Sequence, residues 1–372
     1  MDFLFETIAA VTWQQVVMWG VGALLIYLAI GREMEPALLL PMGFGAILVN
    51  IPFTGVLGKS ETGMGIIEWL FKVGIEASEA LPILLFIGIG AMIDFEPLIV
   101  NPKLMILGAF AQIGIFLTMI LAAAFGMPIN DAASIGIIGA ADGPTSILVA
   151  IKLASKFTPA ILVAAYSYMA LVPVIQPAVI KMCTTKKERL IRMDYTSHRA
   201  SKRVKILFPI VITLVAGLIA PASLSLIGFL MFGNLLRECG VLGSLSETAQ
   251  TSLANLITLL LGITIAFQMQ ADKFLQWETL MIMGLGLLAF VFDTMGGIFC
   301  AKVINLFSKK KINPMIGAAG ISAFPMSARV VHKMGLKEDS SNYLLMHAVG
   351  ANVSGQIASA IVGGLIIGLV LG

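Results

Sequence analysis

Residues 139–146 read Gly139-Ala140-Ala141-Asp142-Gly143-Pro144-Thr145-Ser146. A carboxylate stands here among helix breakers, in a chain that is 58% hydrophobic and only 12% charged. A soluble domain carries about 25% charged residues. A chain half as charged cannot cover a water-facing surface, so most of it must face lipid or other apolar helices. Segments 104–130 and 157–180, which flank Asp142, contain no Asp, Glu, Lys or Arg, and neither do 206–236 and 340–372. A helix needs about 20 apolar residues to cross the hydrocarbon core. Asp142 is thus expected inside the membrane, in a broken element spanning 132–153.

Working outward, ten crossings are expected. The first half supplies 13–31, 36–52, 78–95, 103–126 and 158–182. The second supplies 206–220, 222–237, 253–271, 277–303 and 343–371, with a broken element at 312–330. The halves match in sequence. Residues 36–45, PALLLPMGFG, align with 221–230, PASLSLIGFL, at five identical positions of ten. Gly139-Ala140-Ala141 is echoed by Gly317-Ala318-Ala319. Two matches in the same order indicate an internal repeat.

The central loop is basic, with Lys186, Lys187, Arg189, Arg192, Arg199, Lys202, Arg203 and Lys205. The positive-inside bias places it in the cytoplasm. Five crossings per half then invert one half relative to the other and put both termini outside. The fold class expected is an all-α polytopic membrane protein of two inverted repeats. Residues 1–182 form the first, 183–205 the cytoplasmic loop and 206–372 the second, with the site where the broken elements meet. The acidic N-terminus does not read as a signal peptide. Cys183, Cys239 and Cys300 show neither disulfide nor metal spacing. The net charge of +3 and the apolar composition point to lipid, not nucleic acid.

A charged residue at the membrane centre costs about 2.5–3.5 kcal/mol on insertion scales and marks function. Gly and Pro around Asp142 leave carbonyls without intrahelical partners. Thr145 and Ser146 add hydroxyls, and hard cations take such oxygen ligands. The bland alternative is a Gly-Pro turn that Asp142 only caps. The second broken element offers Asn313, Ser322 and Ser327 as oxygen donors and Gly317 and Gly320 for close backbone approach. Its Arg329 could hold a carboxylate, or simply snorkel. Tyr168 could relay a proton or only pack. Asp293, a second acid within a helix, is the second candidate for the cation. Tyr166, Ser167 and Gln176 line the helix after the first break, and His347, Asn352, Ser354 and Gln356 the helix after the second. His198 and His332 are expected to face solvent. Gly58-Lys59-Ser60 lacks the earlier glycine of a phosphate loop, and Ile180-Lys181-Met182 lacks a domain for biotin attachment.

Residues 139–147 and 313–329, with Leu344-Leu345-Met346-His347-Ala348 leading to Asn352, resemble the beta subunit of sodium-transporting carboxylic acid decarboxylases. That family includes the membrane subunits of oxaloacetate, methylmalonyl-CoA and glutaconyl-CoA decarboxylase, and the resemblance covers nearly the whole chain. It implies decarboxylation of carboxybiotin, consumption of a proton and export of Na⁺ across the bacterial cytoplasmic membrane. It maps function onto Asp142, Tyr168, Asn313, Gly317, Ser322 and Arg329. The cation path expected is Asp142, Thr145, Ser146, Asn313, Gly317, Ser322 and Asn352. Arg329 and Ser322 are expected to meet carboxybiotin, and Tyr168 and Arg329 to act on it. The partners implied are a carboxyltransferase subunit, a biotin carrier subunit, a small membrane-anchoring subunit and further copies of the chain. The chain itself has no nucleotide site, so an outward pump needs energy from such a partner. A sodium/organic-anion transporter or sodium/proton antiporter could share the architecture without one. A channel would conduct without a carboxylated carrier.

Overall fold

A computed structural model describes residues 2–58, 63–193 and 199–372, with side chains from Glu6 onward. Lys59, Ser60 and His198 lie outside them. The described residues form helices and no strand. In chain order these are α1 (Asp2–Ala9), α2 (Trp13–Gly31), α3 (Pro36–Val49), α4 (Ile66–Phe71), α5 (Ala80–Met92), α6 (Glu96–Val100), α7 (Leu104–Ala111) and α8 (Ile113–Ala124). Then come α9 (Ile129–Gly136), α10 (Gly143–Lys152), α11 (Thr158–Cys183), α12 (Lys186–Arg189), α13 (Lys202–Ile219) and α14 (Leu224–Glu238). The chain ends with α15 (Gly243–Thr248), α16 (Ala254–Ile265), α17 (Ala271–Phe274), α18 (Trp277–Phe307), α19 (Met315–Ala318), α20 (Met326–Glu338) and α21 (Leu345–Leu371).

Among the described residues, six spans are long and apolar enough to cross a membrane: 13–31, 104–124, 158–183, 243–269, 277–307 and 345–371. A seventh is the pair Ile66–Glu76 and Ala80–Met92, bent by 67°. This differs from the ten crossings expected, for a reason of length. α3 and α14 have 14 and 15 residues, about 21–23 Å at 1.5 Å per residue, against a core of about 30 Å. α13 has 18 residues but opens on Lys202, Arg203 and Lys205. The segment 66–76 escapes a hydropathy reading because Glu68, Lys72 and Glu76 break its apolar run. Glu68 and Lys72 pair across one turn at 2.9 Å, as i,i+4 partners do.

The helix contacts of one half repeat in the other with the roles exchanged. α3 packs on α2 and α16, and α14 packs on α13 and α5. α7 lies along α21, and α11 lies along α18. α10 sits against α11 and α21, and α20 against the same two. The two broken elements therefore share the space between α11 and α21.

Glycine makes the closest approaches possible. A Cβ on Gly317 would fall on the Gly297 carbonyl oxygen of α18, and one on Gly297 on the Gly317 oxygen. Small residues let helix backbones meet in this way inside membranes, where packing rather than water drives association.

Candidate functional site: the crossing of two broken helices

The first broken element runs through α9 and a 3₁₀ turn at Ile137–Ala140, then stops. Ala141 takes φ 51°, the left-handed region, and Asp142 is extended. Pro144 cannot continue the incoming helix, but it suits the first turn of α10. Asp142 is therefore the residue before a new helix, deep in the protein and 3% exposed.

Three donors converge on one oxygen of its carboxylate. The Thr145 hydroxyl donates to Oδ2 at 2.6 Å. From α21, the Gln356 amide donates at 3.1 Å and the Ser359 hydroxyl at 3.1 Å. Ser146 donates to the Asp142 backbone carbonyl at 2.8 Å. The Tyr166 ring of α11 covers the next turn, where a Cβ on Gly143 would strike it. No Lys or Arg pairs with Asp142 among the described residues. An ionised carboxylate without a counter-charge is costly here. Thr145 and Ser359 could turn their lone pairs toward a cation, since a hydroxyl donates or accepts as required.

The second broken element crosses the first at Ala140. The Ser322 backbone N–H and hydroxyl both donate to the Ala140 carbonyl at 3.0 Å. Residues 319–325 form the turn between α19 and α20, and the carbonyls of Ala318, Gly320 and Ile321 have no helical partner among the described residues. Their carbonyls take amides from neighbours. Gln112 donates to Gly320 O at 3.4 Å, Asn352 to Ile321 O at 2.6 Å, and Gln176 to Ala318 O at 2.8 Å. Ser327 and Gln176 also bond to each other.

Of the expected site residues, Asp142, Thr145 and Ser146 come together directly, and Ser322 joins them through the Ala140 carbonyl. Asn352 joins through Ile321. Gly317 serves the close approach to Gly297. Asn313 is elsewhere. Its amide donates to the Arg189 and Ile191 carbonyls at 2.9 Å each, and its oxygen accepts the Met315 N–H at 3.0 Å. It ties the central basic loop to α19 and touches none of the groups around Asp142.

Tyr168 and Arg329 are also apart. The Tyr168 hydroxyl donates to the Met283 carbonyl of α18. Arg329 borders a cavity of about 340 Å³ that Glu33, Glu35, Lys333 and Lys337 also line. Its guanidinium has no ion pair among the described residues. Burial pushes the Glu35 carboxyl above its ordinary range, with Arg329 opposing. Asp293 is fully buried in α18. Its Oδ1 accepts the Ile115 N–H at 3.1 Å, where the 104–124 span breaks at Gln112. Its Oδ2 has no hydrogen-bond partner among the described residues. His332 lies on α20, half-buried near the Tyr343 ring at 6.1 Å, not in a solvent-facing loop.

Ser359, Gln112, Glu33 and Glu35 did not stand out in the sequence. Ser359 follows Gln356 by three residues, so both share one helix face. That spacing in an apolar helix was the available signal. Glu33 and Glu35 carried none, because only the fold brings their loop to Arg329.

The family model for the Na⁺-transporting oxaloacetate decarboxylase beta subunit matches residues 14–370. The methylmalonyl-CoA decarboxylase subunit beta of Propionigenium modestum is 46% identical, over 95% of this chain and 94% of the relative. The oxaloacetate decarboxylase beta chain of Klebsiella pneumoniae is 44% identical, over 96% and 95%. The glutaconyl-CoA decarboxylase subunit beta of Acidaminococcus fermentans is 47% identical, over 98% and 95%. With matches this long and apolar helices of spanning length, the chain belongs to the beta-subunit family of Na⁺-transporting decarboxylases and is the membrane subunit of a decarboxylase sodium pump.

Proposed function

We propose that this chain decarboxylates carboxybiotin from its cytoplasmic side and uses the reaction to export Na⁺ through the crossing at Asp142. The observation that carries the reading is the convergence of Thr145, Gln356 and Ser359 on the buried Asp142 carboxylate, one turn from the Ala140–Ser322 contact. The carboxylate supplies the charge that makes dehydrating a monovalent cation tolerable. Thr145, Ser146, Ser322, Asn352 and the backbone at Gly317 belong to the same path. Asn313 would join it only after releasing the basic loop. Asp293 is the second candidate for the cation.

Asp142 would also take up a proton after the ion arrives, which weakens its hold on Na⁺ and favours release, while the proton consumed in decarboxylation ends on the biotin nitrogen that loses CO₂. Moving one charge against 100 mV costs about 2.3 kcal/mol. Carboxybiotin, carried by a partner, would supply the carboxyl group whose release as CO₂ provides that energy. Arg329, beside a cavity and free of ion pairs among the described residues, offers a planar fork for a carboxylate. Ser322 lies on the same element. Tyr168 is proposed to donate a proton or hydrogen bond after leaving Met283.

The architecture proposed is two inverted repeats, 1–182 and 206–372, joined by the cytoplasmic loop 183–205. The exchanged packing of α3 and α14, and of α7 and α11, supports it. The membrane is the bacterial cytoplasmic membrane. The partners are a carboxyltransferase subunit, a biotin carrier subunit, a small membrane-anchoring subunit and further copies of this chain.

The test is ²²Na⁺ uptake into liposomes holding the assembled complex, measured with decarboxylation. Asp142→Asn keeps the shape and removes the charge. It should abolish both activities while the carrier still becomes carboxylated. Unchanged pumping with unchanged apparent Na⁺ affinity would make Asp142 a structural cap.

A further inference from the structure

Along the seam between α18 and α7–α8 runs a groove whose two ends differ in chemistry. One end is a cavity of about 660 Å³ bordered by Lys103, Arg192, Lys310 and Lys311. These cations come from three separate segments: the start of α7, the central basic loop and the chain after α18. The other end is a cavity of about 550 Å³ whose lining includes Phe110, Leu117, Phe292 and Phe299 and no charged residue. Val303 and Ile304 line both cavities, so the two adjoin at one turn of α18.

Apolar surface on a membrane helix needs no special occupant. Cations at the head of an apolar groove suit an acidic one, and the Lys311 ammonium, which donates to the Asn305 carbonyl, keeps further N–H groups to offer. Arg192 is engaged by Asp339 at 2.6 Å. Lys103 is exposed and has no ion pair among the described residues. The length of the apolar part decides between kinds of occupant. From Phe292 to Ile304 α18 rises about 18 Å. That is close to one leaflet of a core about 30 Å thick, and far short of a second spanning helix.

We propose that this groove binds one anionic glycerophospholipid, with its phosphate at Lys103 and Lys311 and an acyl chain along Val303, Phe299 and Phe110. Basic pockets between transmembrane helices on the side of the basic loops suit acidic head groups. The site stands apart from Asp142 and from the Arg329 cavity, so it does not depend on the transport mechanism.

The test uses the full chain in detergent, with native mass spectrometry and thermal unfolding as readouts. Dioleoylphosphatidylglycerol should leave a retained adduct and raise Tm, while dioleoylphosphatidylcholine should do neither. Lys103→Gln and Lys311→Gln should each weaken the phosphatidylglycerol adduct about fivefold. Val303→Trp should fill the junction of the two cavities and remove the adduct, while the lipid-free Tm stays near the wild-type value. If Val303→Trp lowers the lipid-free Tm, the two lysine variants decide alone. Equal retention of both lipids overturns the proposal. So does an adduct unchanged in both lysine variants, or stabilisation by glycerol phosphate equal to that by the lipid. Dissociation of an oligomer in Val303→Trp with lipid binding intact also overturns it, because a second copy would then be the occupant.

Discussion

The two broken elements face the same difficulty and meet it with different chemistry. Each stops a helix deep in the protein and leaves backbone carbonyls that must find partners there. The second element is clamped by side-chain amides. Gln176, Gln112 and Asn352, from three different neighbours, reach Ala318, Gly320 and Ile321. The first carries a carboxylate in place of such clamps, and Thr145, Gln356 and Ser359 gather on it. An amide bonded to a carbonyl has one good arrangement. A carboxylate circled by hydroxyls can exchange its donors for a cation or a proton. The comparison casts the second element as a rigid wall and the first as the part that responds.

The largest contrast should come from Asp142→Asn against Gln176→Leu. The first should abolish Na⁺-dependent turnover, a loss of at least about a hundredfold, on the scale of a lost buried charge interaction of about 2–3 kcal/mol. The second should leave the apparent Na⁺ affinity unchanged and lower Tm. Decarboxylation measured against Na⁺ concentration checks both. A shifted affinity in the Gln176 variant would break the division of labour.

Asn313→Ala comes next. It removes the amide donor of the Ile191 carbonyl and leaves the Arg189 carbonyl to Asn342, a loss of about 1–2 kcal/mol in stability. Thermal unfolding should register it. An unchanged Tm with a weakened Na⁺ response would move Asn313 from the loop clamp to the ion path.

Gln356→Ala and Ser359→Ala should each raise the Na⁺ concentration for half-maximal turnover about fivefold, since each donor favours by about 1 kcal/mol the ionised carboxylate that holds the cation. Equal values in variant and wild type would mean that α21 only packs against Asp142.

The smallest effect lies at the seam of the two halves. Lys205 of α13 pairs with Glu96 of α6 at 2.6 Å, and this hydrogen bond holds the Glu96 carboxyl below its usual range. The stability it contributes is therefore present above about pH 4.3 and is lost as pH falls through the depressed value. Glu96→Gln should cost at most about 1 kcal/mol at neutral pH. Tm measured from pH 7 down to 3 should show variant and wild type converging. A constant gap would assign the loss to packing.

Composition and the uncharged runs determined that this is a helical membrane protein, because the cost of burying charge in hydrocarbon leaves a plain mark in sequence. The breaks at Asp142 and before Met326 were legible for a similar reason, since Gly and Pro act on their own backbone. The echo of 36–45 in 221–230 is the sequence signal for the proposed repeat. What the sequence did not disclose depends on distance across the fold. Ser359 reaches Asp142 from 217 positions away. Gln112 reaches Gly320 from 208. Glu35 enters the Arg329 cavity only because α3 packs where it does. Asn313, expected on the cation path, is bonded in this structure to the carbonyls of Arg189 and Ile191, more than 120 positions away. Local chemistry decides where a helix must stop, whereas the partner of each freed polar group is decided by which helices meet there.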